Sequence, residues 1–280
     1  MAHPGGIRAA HGGGGRETSG RLPVVFISHG SPAVALADDD YTGALRRLGT
    51  GLRPARAIVV LSAHWESPLP LRVTAGDSPG LIYDFSGFPE PLYRITYPCP
   101  GDPDLARDIL SVLSAAHIAG VPEPRRGLDH GVWVPLLHIA PGAERPVVEV
   151  SLPVPRTPAD LLKIGRALAP LRDRGVLLVG SGGVVHNLAR IVFEEERPPV
   201  EAWAEAFDAW FRDRLEARDV EGIVRYRTSA PRADLAVPTT EHFDPIFFAL
   251  GAAAPDDRIT HVYEGFRHGN LSMRSFALGA

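Results

Sequence analysis

The chain has 280 residues, of which 45% are hydrophobic and 22% are charged, and its formal net charge is -4. A chain of this length buries roughly 70–75% of its unfolded surface on folding, which favours one globular unit. The small negative charge and the lack of a long Lys/Arg run argue against nucleic acid or an acidic membrane as a partner, and favour a small-molecule substrate.

Cysteine content and hydropathy narrow the possibilities further. Cys99 is the only cysteine, so the chain forms no intrachain disulfide and any metal site must use His, Asp or Glu. No apolar run approaches the roughly 18 residues of a membrane span, and the N-terminus lacks the apolar core of a signal peptide. We therefore expect a cytoplasmic protein with no membrane partner, and the sequence indicates no oligomeric state.

The first 20 residues differ in composition from the rest of the chain. Residues 1–20 are rich in glycine and poor in large apolar side chains, so burial offsets little of the entropy lost on ordering them. We predict a disordered tail over 1–20 and a single folded domain over 21–280. His3 and His11 are discounted as site residues on this ground.

From Leu22 onward, short runs of branched apolar residues alternate with longer amphipathic stretches, as in βαβ units around a parallel sheet. Strands are predicted at Pro23–Ser28, Ala57–Ala63, Pro146–Val150 and Val176–Gly180. Their near-continuous hydrophobicity indicates burial on both faces. Covering helices are predicted at Asp102–Ala119, Pro158–Arg172 and Val200–Glu216. The predicted fold class is α/β, with a mainly parallel or mixed central sheet flanked by helices in a single domain.

Two shorter segments, Leu71–Thr74 and Tyr93–Tyr97, are predicted as additional strands. Between them, Ser78–Pro91 is punctuated by Gly and Pro and is predicted to be a loop. Several aromatic side chains are candidates to line a pocket, with a place in the core as the equal alternative. They are Tyr83, Phe85, Phe88, Trp65 and Trp133.

Three of the predicted strands run directly into a histidine in a turn-prone context. The segments are FISHGSP at His29, VLSAHWES at His64 and VGSGGVVHN at His186. In open α/β sheets, ligands bind beyond the carboxyl ends of the strands, so side chains that are remote in sequence converge there. Imidazole is also the commonest metal ligand in proteins. A lone histidine after a strand is more often structural, but three together favour a shared site.

Two other segments place titratable groups at predicted helix entrances. GLDHGVWVPLL carries Asp129 and His130, and PTTEHFDPIFFALGA carries Glu241 and His242. Helix capping is the competing explanation, by Asp129 in the first segment and by the preceding threonines in the second. For both segments, a structural role and a functional role therefore remain as alternatives.

The remaining histidines are assigned no function. His117 lies on the apolar side of a predicted helix and His138 follows two leucines, so both are expected in the core or at its edge. His261 and His268 fall in THVYEGFRHGN, where a solvated strand or loop is expected. These two stay in reserve as site residues.

The combined motifs resemble those of the class III extradiol ring-cleavage dioxygenases, in the branch similar to 4,5-DOPA dioxygenase. The resemblance spans almost the whole chain after the tail, and the order and spread of the fragments carry it. The fragments are SHGSP around His29, SAHW around His64, GLDHGVWVPL around His130, GSGGVVHNL around His186, TTEHFDPIFFALGA around His242 and the terminal SMRSFALG.

The resemblance implies a divalent metal held by His29, His64 and His242, with Fe(II) as the active ion. A DOPA-like catechol would bind the metal through both oxygens, and O2 would take the last open position. His186 would act as base for the catechol proton, and His130 would steady developing negative charge. The product would be a ring-opened semialdehyde, and the segment 21–280 would be the catalytic domain.

The third ligand and the identity of the metal leave alternatives open. Ring-cleaving iron enzymes commonly use two histidines and one carboxylate, and Glu241 stands beside His242. This branch of the family has histidine here, so His242 is preferred and Glu241 remains the alternative. An all-histidine site also suits Zn(II), which would occupy the centre without performing the oxygen chemistry. Asp129 or Ser62 is expected to orient the ligands.

Other functions compete with this one. A zinc hydrolase would use the same histidines to activate water, and an inactive homologue would bind metal without catalysis. A serine hydrolase built on Ser181 and His186 is disfavoured because GSGG lacks the flanking pattern of a nucleophile elbow. Nucleotide binding through Gly180–Gly183 is disfavoured because no full phosphate-binding fingerprint is present.

Overall fold

The computed structural model describes residues 20–52, 54–192 and 198–279. The predicted tail lies almost wholly outside these residues, so the division at residue 20 stays a prediction. The strands of the described residues are β1 Val24–Ser28, β2 Ala57–Pro68, β3 Leu71–Thr74, β4 Gly120–Glu123, β5 Val147–Val154, β6 Val176–Gly182, β7 Arg258–Tyr263, β8 Phe266–Arg267, β9 Leu271–Ser272 and β10 Ser275–Gly279. β8 and β9 pair with each other, and the others form one sheet in the order β4-β3-β5-β2-β6-β1-β10-β7.

The middle of the sheet is parallel and is covered on both faces. β2 pairs in parallel with β5 and β6, and β6 pairs in parallel with β1. In β1, Val24 and Phe26 belong to one hydrophobic core, and Val25 and Ile27 belong to the other. Burial on both faces explains why these strands are continuous apolar runs in the sequence. The antiparallel pairs β1–β10, β10–β7 and β3–β5 make the sheet mixed, so the predicted single-domain α/β fold is confirmed.

Helices form the outer layers. Those of the described residues are α1 Asp40–Gly51, α2 Pro103–Ala115, α3 His130–Ile139, α4 Pro158–Leu168, α5 Ala202–Glu216, α6 Val220–Val224, α7 Tyr226–Ser229, α8 Ala233–Ala236 and α9 Pro245–Ala252. α1 and α3 contribute to the core on one face of the sheet, and α2, α4, α5 and α9 contribute to the core on the other. Among the described residues, no helix combines the length and apolarity needed to cross a bilayer.

The three predicted helices are confirmed, although two of them end earlier than expected. α2 begins after Asp102, whose carboxylate accepts a hydrogen bond from the Leu105 N–H group. α4 begins after Thr157, which forms a capping box with Asp160. α4 gives way after Leu168 to a 3-10 turn, which contains a proline near its start.

Two predictions between residues 90 and 120 are wrong. Tyr93–Tyr97 is not a strand, because Glu90–Arg94 forms a 3-10 helix with a proline in its first turn. His117 is not a core residue, because α2 is capped at Ala116 and His117 is exposed in the left-handed region with φ 55. The chain turns there into β4, and this turn faces solvent.

Candidate metal centre

Five histidines meet at the carboxyl edge of the sheet. β2, β6 and β1 are neighbouring parallel strands, so their carboxyl ends lie side by side. His29 directly follows β1, His186 follows β6, and His64 lies where the pairing of β2 with β5 shifts register. His130 begins α3, and His242 lies in the turn before α9. The structure thus brings together all five histidines for which the sequence predicted a site role.

His29, His64 and His242 form a compact triangle. Their ring centroids are 4.9 Å apart for His29 and His64, 5.2 Å for His29 and His242, and 5.0 Å for His64 and His242. The Nε2 atoms of His29 and His64 are 3.0 Å apart. Two unprotonated nitrogens repel each other at this spacing, whereas a cation at about 2.1 Å from each would join them. The spacing therefore suits a shared metal ion.

The other two rings lie against this triangle. His130 is 4.0 Å from His64 between ring centroids, and His186 stacks on His242 at 3.5 Å with the planes 9° apart. The ligand atoms of His29, His64 and His130 lie within 4.8 Å of one another, as do those of His186, Glu241 and His242. Ligand-atom spacing therefore groups His130 with His29 and His64, and groups His242 with His186 and Glu241.

A serine sets the proton position on His29. Ser181 Oγ donates its single proton to the Gly131 carbonyl at 2.5 Å. The same oxygen lies 2.9 Å from His29 Nδ1 and must therefore accept from it. The Nδ1 atom of His29 then carries the proton, and Nε2 has a lone pair free to bind a metal. Because Ser181 is held in this way by His29 and Gly131, the structure does not support a role for it as the nucleophile of a serine hydrolase.

Carboxylates occupy the same position on the other two rings of the triangle. Asp84 Oδ2 lies 3.3 Å from His64 Nδ1, and Glu241 Oε1 lies 3.1 Å from His242 Nδ1. Metal-binding histidines typically donate the second ring N–H to such an acceptor. All three rings thus direct an unprotonated Nε2 away from these acceptors, so the residues present fit a bound divalent ion.

Glu241 supports His242 instead of replacing it. Its Oε1 atom accepts hydrogen bonds from Thr239 Oγ1 at 2.8 Å and from His242 Nδ1. Burial alone would raise the pKa of Glu241, but these hydrogen bonds outweigh it and lower the pKa to about 2. A carboxylate engaged in this way acts as the acceptor for its neighbour. The pair also lies in a turn and not at a helix start, since α9 begins only at Pro245.

Ser62 and Asp129, which were expected from the sequence to orient the metal ligands, bond to each other, and Asp129 also bonds to Arg126. Ser62 Oγ donates to Asp129 Oδ1 at 2.8 Å, and Arg126 donates to Asp129 Oδ2 at 3.0 Å. Asp129 precedes α3 but makes no side-chain capping bond. Within the described residues, neither Ser62 nor Asp129 forms a hydrogen bond with a ring nitrogen of the five histidines. Asp84, in the loop predicted over Ser78–Pro91, is the carboxylate that the sequence argument missed.

A close backbone approach places His242. A Cβ atom built on Gly182 would lie 2.0 Å from the His242 carbonyl oxygen, and the Gly183 N–H group donates to that oxygen at 2.8 Å. Any side chain at position 182 would displace the turn. The glycine pair in VGSGGVVHN therefore sets the approach of the His242 backbone to the end of β6.

Burial keeps the rings neutral. Removal from water disfavours the charged imidazole, and the neighbouring rings add to this effect. The pKa of His29 is lowered well below its usual value, that of His64 is lowered to about 2, and that of His186 is lowered to about 3. These rings are therefore unprotonated at physiological pH, the form that binds a metal or accepts a proton.

We expect the metal-free protein to lose stability as the pH falls below about 6.5. In the unfolded chain, histidine binds a proton near pH 6.5, whereas the folded pKa values of His64 and His186 lie near 2 and 3. Below about 6.5 the unfolded state binds more protons, so the free energy of unfolding decreases with falling pH. Above about pH 7 this contribution is constant.

Thermal unfolding of chelator-treated protein between about pH 8 and pH 5 measures this dependence. The double variant His64→Gln, His186→Gln serves as the matched control, because it removes two of the buried imidazoles and should lower Tm less steeply as the pH falls. An equally steep decline in both proteins would show that the buried rings are not its source.

The remaining histidines lie outside this site. His138 is buried, with Nε2 at 2.9 Å from the Val34 carbonyl oxygen, which confirms a core position. His261 is half-buried in β7 with Nε2 at 3.2 Å from Glu216. Neither of these residues nor His268 belongs to the two potential metal-binding groups found among the described residues.

Aromatic side chains of the 78–91 loop border the site. The ring of Phe85 lies 5.8 Å from that of His130 and 5.4 Å from that of Phe88. Tyr83 packs on Trp133 at 5.8 Å, and Trp133 is fully buried. Trp65 is buried with the Arg126 guanidinium 4.5 Å from its ring. Trp65 and Trp133 are thus core residues, while Phe85 lies beside His130 at the border of the site.

Comparisons with known proteins identify the family of this chain. Residues 23–275 match the family described as the catalytic LigB subunit of aromatic ring-opening dioxygenase. A protein of Escherichia coli (strain K12) named 4,5-DOPA dioxygenase extradiol is 37% identical over 265 residues, which is 94% of this chain and 96% of that protein. A protein of the same name from Beta vulgaris is 38% identical over 260 residues, which is 90% of this chain and 94% of that protein.

A solved structure supports the same assignment. The crystal structure of an uncharacterized protein from Escherichia coli K12 matches with a TM-score of 0.78 and 33% identity, over 92% of this chain and 100% of that one. The resemblance carried by the histidine motifs is therefore confirmed. The chain belongs to the LigB family of aromatic ring-opening dioxygenases.

Proposed function

We propose that the chain is an extradiol dioxygenase that inserts O2 into a DOPA-like catechol ring and yields a ring-opened semialdehyde. The observation that carries this proposal is the triangle of His29, His64 and His242, in which every Nδ1 atom faces an acceptor and the Nε2 atoms of His29 and His64 face each other at 3.0 Å. The relatives named 4,5-DOPA dioxygenase extradiol support the choice of substrate class.

Fe(II) is the proposed active metal, and His29, His64 and His242 are its proposed ligands. When bound, Fe(II) supplies the redox chemistry that joins O2 to the catechol. Although the ligand atoms of His130 lie closer to those of His29 and His64, we choose His242 as the third ligand because the family that the chain resembles has histidine at this position and Glu241 faces its Nδ1 atom. Three imidazoles also suit Zn(II), which we expect to compete for the site in purified protein.

His186 is the proposed base for the catechol hydroxyl. Its pKa is lowered to about 3, chiefly by burial, so the ring is neutral in the free enzyme and one of its two nitrogens has a lone pair that can accept a proton. A bound anionic catechol would raise this pKa, because a nearby negative charge favours the protonated ring. The ring could then hold the proton taken from the substrate and return it to the product.

His130 is the proposed partner of the negative charge that develops during oxygen insertion. It is 6% exposed, and its Nδ1 atom lies 3.0 Å from Asp84 Oδ1. The carboxylate faces Nδ1, so the atom of His130 that would meet the developing charge is Nε2, once it has taken up a proton during the reaction. A protonated Nε2 would donate to a developing oxyanion. Phe85, beside His130, would contact the substrate ring.

Anaerobic reconstitution tests the proposal. Protein stripped of metal is loaded with Fe(II) or, as the matched sample, with Zn(II), and each is then given O2 and a series of catechols that includes DOPA. We expect oxygen consumption and a coloured ring-opened product from the Fe(II) form only. Failure of the Fe(II) form to consume oxygen with any catechol, or metal-dependent hydrolysis by the Zn(II) form, would overturn it.

A further inference from the structure

We propose that Asp84 is a positioning residue that sets the proton position on two rings at once, those of His64 and His130. The inference rests on the proposed function for the roles of the two rings, as metal ligand and as partner of developing charge. It concerns a loop carboxylate that lies outside the five-histidine cluster itself.

Each oxygen of Asp84 faces a different imidazole. Oδ2 lies 3.3 Å from His64 Nδ1, and Oδ1 lies 3.0 Å from His130 Nδ1. Oδ1 also accepts a hydrogen bond from the His130 backbone N–H at 3.0 Å. An ionised carboxylate only accepts hydrogen bonds, so both rings must present a protonated Nδ1 atom. Each neutral ring is then left with an unprotonated Nε2 atom.

No described neighbour takes over this task for His130. Its Nδ1 atom is buried, makes no hydrogen bond of regular geometry among the described residues, and lies 3.0 Å from Asp84 Oδ1. Asp129 is adjacent in sequence, but its two oxygens are taken by Ser62 and Arg126. Asp84 is therefore the acceptor that decides which nitrogen of His130 carries the proton.

The loop that carries Asp84 is held firmly against α3. Two backbone hydrogen bonds join the loop to the residue Leu128, just before α3. The Ile82 N–H group donates to the Leu128 carbonyl, and the Leu128 N–H group donates to the Gly80 carbonyl, each at 2.8 Å. Trp133 Nε1 donates to the Ile82 carbonyl at 3.1 Å. These contacts place the carboxylate without help from the metal, so its effect on both rings is built into the free protein.

An amide at this position cannot serve both rings. The side chain of Asn has one acceptor oxygen and one donor NH2 group in place of two acceptors. Whichever ring faces the NH2 group must turn its Nδ1 into an acceptor, which moves the proton of a neutral ring to Nε2. On His64 that proton blocks metal binding, and on His130 it changes the atom that faces the substrate.

Histidine nitrogen NMR of the full-length protein reads these proton positions directly. We expect both rings of the metal-free wild-type protein to carry the proton on Nδ1, and one of them to shift to Nε2 in Asp84→Asn. Zn(II) affinity, measured by competition with a chelator, should fall about 10-fold to 100-fold in Asp84→Asn, the range found when the partners of metal-binding histidines are removed. Asp77→Asn, an exposed aspartate just before the same loop, is the matched control and should change neither readout.

The proposal is overturned if the wild-type protein carries the proton on Nε2 of His64 or His130, a result that needs no variant. It is also overturned if Asp84→Asn keeps wild-type proton positions and Zn(II) affinity. Both readouts are independent of catalysis. An Fe(II)-loaded wild-type protein that opens no catechol would refute the proposed function while leaving the positions of these protons unchanged.

Discussion

Substitution of His242 by alanine is expected to lower metal affinity by about 100-fold or more and to remove nearly all ring-opening activity. Binding energies of about 10–16 kcal/mol for fully ligated zinc sites imply on the order of 3 kcal/mol for each ligand, which corresponds to about 100-fold in affinity. With only His29 and His64 left, the ion would be held weakly and catechol binding would displace it. Metal content after dialysis and chelator competition measure the effect.

Two further variants decide the identity of the third ligand. Glu241→Gln keeps an acceptor for His242 Nδ1 and should lose about 10-fold or less in affinity, while His130→Ala should retain the metal and lose turnover. His117→Ala is the control, because that histidine is exposed and belongs to neither potential metal-binding group of the described residues. If His130→Ala or Glu241→Gln loses more metal than His242→Ala, the proposed ligand set is wrong.

Substitution of His186 by glutamine is expected to lower turnover by about 100-fold to 10,000-fold while the metal stays bound, because proton transfer by a positioned base contributes this much. The ring of His186 stacks on His242 at 3.5 Å, so glutamine is chosen to keep bulk beside that ligand. Single-turnover rates of the Fe(II) enzyme, normalised to iron content, measure the loss.

The same experiment separates catalysis from metal binding. A catalytic base leaves metal affinity close to wild type when it is removed, whereas a fourth ligand does not. Loss of iron from His186→Gln in proportion to its loss of activity would therefore assign His186 to the metal. Retention of both iron and full turnover would show that the proton goes elsewhere.

The sequence by itself determined the layered fold and the general location of the site. Apolar runs such as Ala57–Ala63 and Val176–Gly180 predict strands covered on both faces, because only a sheet between two helical layers buries every side chain of such a run. Parallel strands end at a common edge, so the histidines that follow these runs were expected to converge. His130 and His242 follow no predicted strand; the sequence placed them at predicted helix entrances, and the family resemblance assigned them a role in the site.

Only the tertiary structure decided which atoms of those histidines are available. Ser181, Asp84 and Glu241 each take an Nδ1 atom, and two of these pairs join residues far apart in the chain. Asp129 or Ser62 was expected in such a role from the sequence, yet these two side chains bond to each other and Arg126 takes the second Asp129 oxygen. The spacing of hydrophobic residues in the sequence indicates which face of a helix or strand is buried, because side-chain direction repeats regularly along each element. Hydrogen bonds between loops depend on ångström-scale placement of side chains, which the backbone repeat does not encode.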